Sequence, residues 1–169
     1  YWSGIIASAR TVLVLLWLVG MGGCNALSSP IPSNSPDHLL FYDDFSDPQR
    51  GWQRWENEQA EIVYREGGLR FSINAPYYDY WSLAGFQIED AILAVEARVV
   101  GGPLNNDFGL ICRYKNSSQF YAFIISSDGY AGIAAVDGEG YHLLTDSTLT
   151  YFASLERGWA TYLLRADCI

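Results

Sequence analysis

The sequence lacks most of the residues and motifs on which catalysis, metal binding and nucleic-acid binding depend. Its 169 residues include two histidines, three cysteines and ten basic residues against nineteen acidic ones, for a net charge of −9. It has no stripe of Lys and Arg, no His/Cys cluster at zinc spacing, no glycine-rich phosphate loop and no Gly-x-Ser-x-Gly motif. These absences argue against nucleic-acid binding, a zinc site, nucleotide binding and a serine hydrolase. Half of the chain is hydrophobic and 15% is aromatic, which instead predicts one folded domain with a sizeable core.

The start of the chain is typical of an export signal. Val12–Val19 is an unbroken apolar run that follows a single Arg10, as in the hydrophobic region of a signal peptide. The run ends in two glycines directly before Cys24, which resembles the lipobox of bacterial lipoproteins. This resemblance implies cleavage before Cys24 and a diacylglycerol on its thiol, and two acyl chains suffice for stable anchoring. The alternative is an uncleaved membrane anchor, because residues 5–21 approach the length that spans a bilayer.

These features predict three parts of the chain. Residues 1–23 are a signal peptide or anchor helix, residues 24–38 are a tether rich in serine and proline, and residues 39–169 are the folded domain. Nine basic and nineteen acidic residues follow Cys24, a net charge of −10, so we expect membrane contact through the lipid alone. The predicted location is the cell envelope, on the extracytoplasmic side.

After Leu39 the sequence alternates between short apolar runs and turn residues, which predicts strands without long helices. Leu69, Phe71 and Ile73 alternate with polar residues, as in a strand with one buried face. The pair Gly67-Gly68 before them predicts a tight hairpin with positive φ at both central positions. Further strands are predicted at 91–100, 108–114, 120–125, 130–136, 141–144 and 161–169. Their regular spacing favours an antiparallel sandwich or jelly roll.

Several short motifs resemble one family. They are Asp43-Asp44-Phe45-Ser46-Asp47-Pro48, Gly51-Trp52, the hairpin from Tyr64 to Leu69, and residues 106–114, 120–121 and 125–129. Together they resemble the concanavalin A-like, laminin G-like β-sandwich domains of bacterial exported proteins, which are related to the 3-keto-disaccharide hydrolase or family 16 glycoside hydrolase-like domain. In such domains a strand like residues 163–169 is followed by a hairpin and a closing strand. Two interpretations follow: the sequence is a fragment truncated at its C-terminus, or the sandwich has an open edge.

The resemblance does not extend to a catalytic motif. Family 16 enzymes carry Glu-x-Asp-x-x-Glu on one strand, and this pattern is absent. The nearest candidates are Glu89, Asp90 and Glu96, but Asp90 and Glu96 would lie roughly 20 Å apart along a strand, too far to flank one glycosidic bond. His38 and His142 have no acid or nucleophile near them in sequence. We therefore predict no catalytic residue.

Aromatic residues suggest a ligand site. Tyr77, Tyr78, Tyr80 and Trp81 cluster after Pro76 in what reads as a loop, and sugars stack their C–H faces on aromatic rings. The alternative is that these rings cap the core, and Trp52 and Trp55 have the same two interpretations. Asn105 and Asp107 are weak candidates for calcium, which prefers oxygen ligands, although such residues also form turns. No other cofactor is predicted.

Two cysteines remain once Cys24 is assigned to the lipid. An exported protein meets oxidising conditions, and the parity of Cys112 and Cys168 suggests a disulfide. The family resemblance places their strands close together in the sheet. The alternative is two buried thiols.

Three functions stay open. The first is a non-catalytic binding module on a lipid anchor, with a glycan or an envelope protein as partner. The second is a glycoside hydrolase-like enzyme of the same fold. The third is a structural accessory domain of an envelope complex. The missing carboxylate motif favours the binding module.

Overall fold

The computed structural model describes residues 2–8, 12–15 and 39–169, and the regular elements of this part of the chain are all strands. Within it, no helix is long and apolar enough to cross a membrane. In chain order the strands are β1 (Trp2–Ser8), β2 (Val12–Leu15), β3 (Trp55–Glu56), β4 (Ala60–Arg65), β5 (Gly68–Ile73), β6 (Asp79–Gln87), β7 (Ala91–Val99), β8 (Asp107–Asn116), β9 (Gln119–Ser126), β10 (Tyr130–Asp137), β11 (Gly140–Leu143), β12 (Thr150–Tyr151) and β13 (Thr161–Cys168).

The strands form two antiparallel sheets. The seven-stranded sheet has the order β11-β10-β9-β8-β1-β6, with β12 paired to β10, and the six-stranded sheet has the order β13-β7-β2-β5-β4-β3. Consecutive strands from β8 to β11 are joined by short turns, which antiparallel pairing permits. The predicted all-β, antiparallel class is confirmed.

Two strands come from the predicted signal segment. β1 lies between β6 and β8, and β2 lies between β5 and β7, all antiparallel. The rest of that segment, together with Cys24 and the tether, lies outside the described residues. The signal helix, the acylation of Cys24 and the tether therefore stay predictions.

A core lies where the two sheets face each other. Leu69, Phe71 and Ile73 of β5 are almost fully buried, which confirms the predicted alternation. Phe108 of the seven-stranded sheet contacts Tyr162 of the six-stranded sheet, with ring centroids 5.1 Å apart. Because both sheets contribute to this cluster, their facing sides are held together by apolar burial.

The hairpin between β4 and β5 differs from the prediction by one residue. Its central residues are Glu66 (φ 56°) and Gly67 (φ 71°), and Arg65 pairs with Gly68. Positive φ at both positions is the geometry of a type I′ turn. The predicted turn type is thus correct, but Gly68 belongs to the strand, where it is buried.

The Asp43–Pro48 motif has a structural role. The side chain of Asp43 is only 2% exposed and lies 3.7 Å from the guanidinium of Arg50. It accepts hydrogen bonds from the Trp52 Nε1–H at 2.7 Å and the Phe45 N–H at 2.9 Å. Trp52 in turn packs against Phe45. One buried carboxylate therefore joins the entry segment to the core.

Cys112 and Cys168 lie at disulfide distance, with their Cα atoms 6.4 Å apart. This supports the predicted pair, but the expected arrangement was wrong. Cys112 lies in β8 and Cys168 in β13, so the two residues belong to opposite sheets. The bridge therefore crosses the core, because both side chains point from their strands toward the facing sheet.

Candidate functional site

The aromatic run does not form a single loop. Tyr77 and Tyr78 lie in a turn, whereas Tyr80 and Trp81 belong to β6. Successive side chains of a strand point to opposite faces, so Tyr80 packs against the core and Trp81 lies on the other side of the seven-stranded sheet. The loop assignment was wrong because the residues from Asp79 onward pair as a strand.

The face that carries Trp81 holds a second apolar cluster, and we call it the outer face. Its buried members come from β6, β8, β9 and β10: Leu83, Ile111, Phe120, Ala122, Ile124 and Ala134. Leu143 and Leu149 pack over part of it. The six buried members are at most 6% exposed, so most of the outer face is covered rather than open to solvent.

Trp81, Tyr114 and Phe120 form an aromatic group on the outer face. The ring centroid of Trp81 lies 6.0 Å from that of Tyr114 and 5.4 Å from that of Phe120. Phe120 is buried, whereas Trp81 and Tyr114 are partly exposed. The rings are tilted by about 50° rather than coplanar, so they form a shallow angled surface instead of a flat platform.

Two carboxylates lie at one end of the same face. Asp79 and Trp81 share a face of β6, as Asp107 and Ile111 do on β8. Ala7 of β1 pairs with both Tyr80 and Phe108, so Asp79 and Asp107 flank β1 at one level. Two strand spacings separate their backbones by about 10 Å.

Burial and mutual repulsion shift the proton affinities of these groups. Burial, reinforced by the charges of Asp79 and Asp128, raises the pKa of Asp107 to about 6. Burial also raises the pKa of Asp79. Burial, reinforced by the charges of Asp79 and Asp107, raises the pKa of Tyr141 to about 12. Perturbed carboxyl groups of this kind are frequent at functional sites.

A second aromatic surface lies at the rim, away from the outer face. The rings of Trp55 and Tyr80 are 6.0 Å apart, and the Tyr80 hydroxyl donates to Gln59 Oε1 at 3.2 Å. Trp55 is 51% exposed. The two interpretations offered for Trp52 and Trp55 therefore apply to different residues: Trp52 packs against the core, and Trp55 lies at the surface.

The side chain of Tyr77 does not pack against the described fold. Its side chain is fully exposed and its φ is 65°, a left-handed conformation that costs a bulky residue free energy. Nothing in the described fold offsets this cost through contacts of the ring. An exposed aromatic residue under backbone strain is a candidate for contact with a ligand.

The other candidates stay apart from the outer face. Glu89 and Asp90 lie in the bend before β7, and Glu96 lies on β7 in the six-stranded sheet. Asp90 accepts a hydrogen bond from Arg113 at 2.5 Å. His142 lies 3.6 Å from Asp137 on the exposed β10–β11 hairpin.

Among the described residues, no group of three or more His, Cys, Asp or Glu side chains is placed to hold a metal ion. Asn105 is exposed, and Asp107 begins β8 on the outer face. In the described part of the chain, Asn105 and Asp107 therefore do not belong to such a group.

Sequence reasoning missed Asp79 and Tyr114 as members of the outer face. The alternation of Asp79, Trp81 and Leu83 could have predicted that these side chains lie on one face, because residues two apart share a strand face. The sequence could not predict that β6 and β8 lie close together, because the strand between them, β1, comes from a distant part of the chain.

Comparison of the chain with protein-family models, with curated proteins and with solved structures finds no match. The fold and the outer face define a class: an all-β protein of two antiparallel sheets, one of which carries two partly exposed aromatic rings and two carboxylates on the same face.

Proposed function

We propose that this chain is a lipid-anchored, extracytoplasmic binding module with a concanavalin A-like sandwich fold, and that its ligand is a glycan. The observation that carries the proposal is that the partly exposed rings of Trp81 and Tyr114 lie on the same sheet face as the carboxylates of Asp79 and Asp107. Partly exposed aromatic rings receive the apolar face of a sugar, and carboxylates accept hydrogen bonds from its hydroxyl groups.

The anchor is proposed from the sequence alone, and it competes with the described fold, because cleavage before Cys24 would remove β1 and β2 from the two sheets. Apolar residues, two glycines and Cys24 form the pattern of a lipoprotein signal, and the acidic domain that follows has no basic surface to draw it to anionic lipid. Changing Cys24→Ser is expected to release the protein from membranes or to block its processing. Unchanged membrane association together with an unchanged mature mass would contradict the anchor.

Glycan binding is tested on a panel of immobilised polysaccharides. Trp81→Ala is expected to weaken binding by about 1 to 3 kcal/mol, the range for losing an anchor aromatic residue. Because Trp81 also packs against Tyr114 and Phe120, Asp79→Asn provides a second test that keeps side-chain volume and removes only the charge. Trp159→Ala is the control, since Trp159 is 65% exposed and its indole bonds Gly102 rather than the outer face. Equal binding by all four proteins would contradict the outer face as the site.

The enzyme alternative is retained because of Asp79 and Asp107. The backbones of the two residues lie about 10 Å apart, near the carboxyl separation of inverting glycosidases, and a raised pKa suits a general acid. Release of reducing sugars, measured on the same panel, separates the alternatives. Release that disappears in both Asp79→Asn and Asp107→Asn would establish an enzyme, whereas binding without release supports the module.

A further inference from the structure

We propose that the outer face selects glycans without acidic groups, and that a bulge in β8 sets this selectivity by presenting Tyr114 there in place of Arg113. The inference rests on the proposed glycan binding and names the class of sugar that the site accepts. The observation that carries it is a break in the alternation of β8, at which these two side chains exchange faces.

β8 alternates regularly as far as Cys112. Phe108 and Cys112 lie in the core between the sheets, whereas Ile111 lies on the outer face. Residues two apart share a face of a strand. Continued alternation would therefore bury Tyr114 between the sheets and place Arg113 on the outer face. Both side chains are found on the opposite side.

A bulge after Cys112 reverses the alternation. Between its pairs with Tyr121 and Gln119, β8 contributes three residues where β9 contributes one. Within the bulge Arg113 has a φ of 50°, a left-handed conformation that is uncommon outside glycine. Bulges redirect side chains, and both bulges and left-handed residues are frequent beside functional sites.

The two exchanged side chains have defined contacts. Tyr114 packs on the outer face, with its ring centroid 6.0 Å from that of Trp81 and 5.7 Å from that of Phe120. Arg113 lies 2.5 Å from the carboxylate of Asp90, which directly precedes β7 of the six-stranded sheet. The bulge therefore adds an aromatic ring to the outer face and removes a cation from it.

The charge of the outer face determines which sugars fit. Among the described residues, the positions of β6, β8, β9 and β10 that share this face carry no lysine or arginine. Burial and the charges of Asp79 and Asp128 raise the pKa of Asp107 to about 6, so negative charge already accumulates there. A uronate or sulfate on a bound sugar would add to it without a cation to pair with. A neutral sugar meets only aromatic rings and hydrogen-bond acceptors.

The exchange of Arg113 and Tyr114 decides between two kinds of site. With Arg113 on the outer face, a guanidinium would lie beside Trp81, and guanidinium groups pair with carboxylates and sulfates through two parallel hydrogen bonds. The ring of Tyr114 instead offers stacking area without charge. The bulge thus favours neutral over acidic sugars.

The test compares neutral polysaccharides with acidic derivatives of the same backbone. Cellulose, dextran, β-1,3-glucan, xylan and mannan are immobilised beside their carboxymethylated forms, with hydroxyethylated forms as the control for substituent size. Salt at about 0.15 M screens repulsion beyond about 8 Å. The unchanged chain is expected to bind a neutral form at least about ten-fold more tightly than its carboxymethylated partner. Equal or tighter binding of the acidic forms would overturn the inference and leave glycan binding intact, whereas binding of neither would contradict the proposed function as well.

Tyr114→Arg tests the exchange directly, because it puts a guanidinium at the position that the bulge gives to the aromatic ring. It is expected to reduce the preference for neutral forms at least about five-fold. Trp159→Arg adds the same charge away from the outer face, where the Trp159 indole bonds the Gly102 carbonyl, so it should keep the preference of the unchanged chain. An unchanged preference in Tyr114→Arg, or an equal loss in both variants, would overturn the inference.

Arg113→Ile and Arg113→Asn test the bulge without altering Tyr114. Both remove the ion pair with Asp90, but only asparagine tolerates a left-handed backbone. Arg113→Ile is therefore expected to bind the neutral polysaccharide about five-fold more weakly than Arg113→Asn, with circular dichroism verifying that both fold. Chemical labelling of tyrosine in the unchanged chain needs no variant, and Tyr114 should be protected when the neutral polysaccharide is bound. Equal binding by the two variants, or no protection of Tyr114, would overturn the inference.

Discussion

The link between Cys112 and Cys168 gives a sharply testable prediction of stability. The two residues are separated by 56 positions. Closing a loop of that length removes conformational entropy from the unfolded chain, which corresponds to a stabilisation of about 4 kcal/mol in the loop-entropy model. Small domains are stable by only about 5 to 15 kcal/mol, so the cross-link supplies a large share of the total.

Urea unfolding of the oxidised and reduced chains measures this contribution. With a denaturant slope of about 2 kcal/mol per molar, reduction is expected to lower the unfolding midpoint by about 2 M. Cys112→Ala/Cys168→Ala should unfold near the reduced chain and slightly below it, because both side chains are buried and lose packing atoms when truncated.

The thiols themselves provide the refuting result. Unfolding without reductant should expose no thiol from Cys112 or Cys168, and reduction should expose both. Two reactive thiols in the unreduced chain, or identical midpoints with and without reductant, would show that the residues are buried thiols rather than a bridge.

Three further predictions concern single residues. Asp43→Ala should destabilise the fold by about 1 to 3 kcal/mol in urea unfolding, because it leaves the Trp52 indole N–H and the Phe45 N–H without their buried acceptor; an unchanged free energy of unfolding would contradict this role. Asp107 has a folded pKa of about 6, above its unfolded value, so the native state binds the extra proton and stability falls as pH rises from about 4 to 6, by up to about 3 kcal/mol. Asp107→Asn should remove that slope, and an unchanged pH profile would refute the shift. Tyr77→Asn should stabilise by about 0.5 to 1 kcal/mol, since asparagine tolerates the left-handed backbone, and a lower melting temperature would show that the ring makes stabilising contacts.

Local patterns predicted the strands because side-chain alternation is a property of neighbouring residues. The burial of Leu69, Phe71 and Ile73 and the type of the β4–β5 turn follow from such patterns. The turn shifted by one residue because Glu66, rather than Gly68, adopts the first positive φ, a choice that depends on the register with β4.

The arrangement of the candidate site depends on pairing between distant segments. Nothing in the local sequence relates Asp79 to Asp107, or places Cys112 and Cys168 in opposite sheets. The predicted aromatic loop was wrong for the same reason. Pairing with β1 makes Tyr80 and Trp81 part of β6, so their side chains lie on opposite faces of the sheet. The sequence therefore predicted which kinds of side chain are available for a site, but not which of them lie close together in the fold.

The protection of the sheet edges has a consequence for crowding at a surface. Under the proposed lipid anchor, neighbouring copies would meet in two dimensions at high local concentration, where an unprotected sheet edge favours strand pairing between copies. The segment around Gln53 covers the long edge strand β6, because Gln53 donates its backbone N–H to the Leu83 carbonyl and accepts from the Ser82 hydroxyl. That contact hinders a second copy from adding a strand to β6.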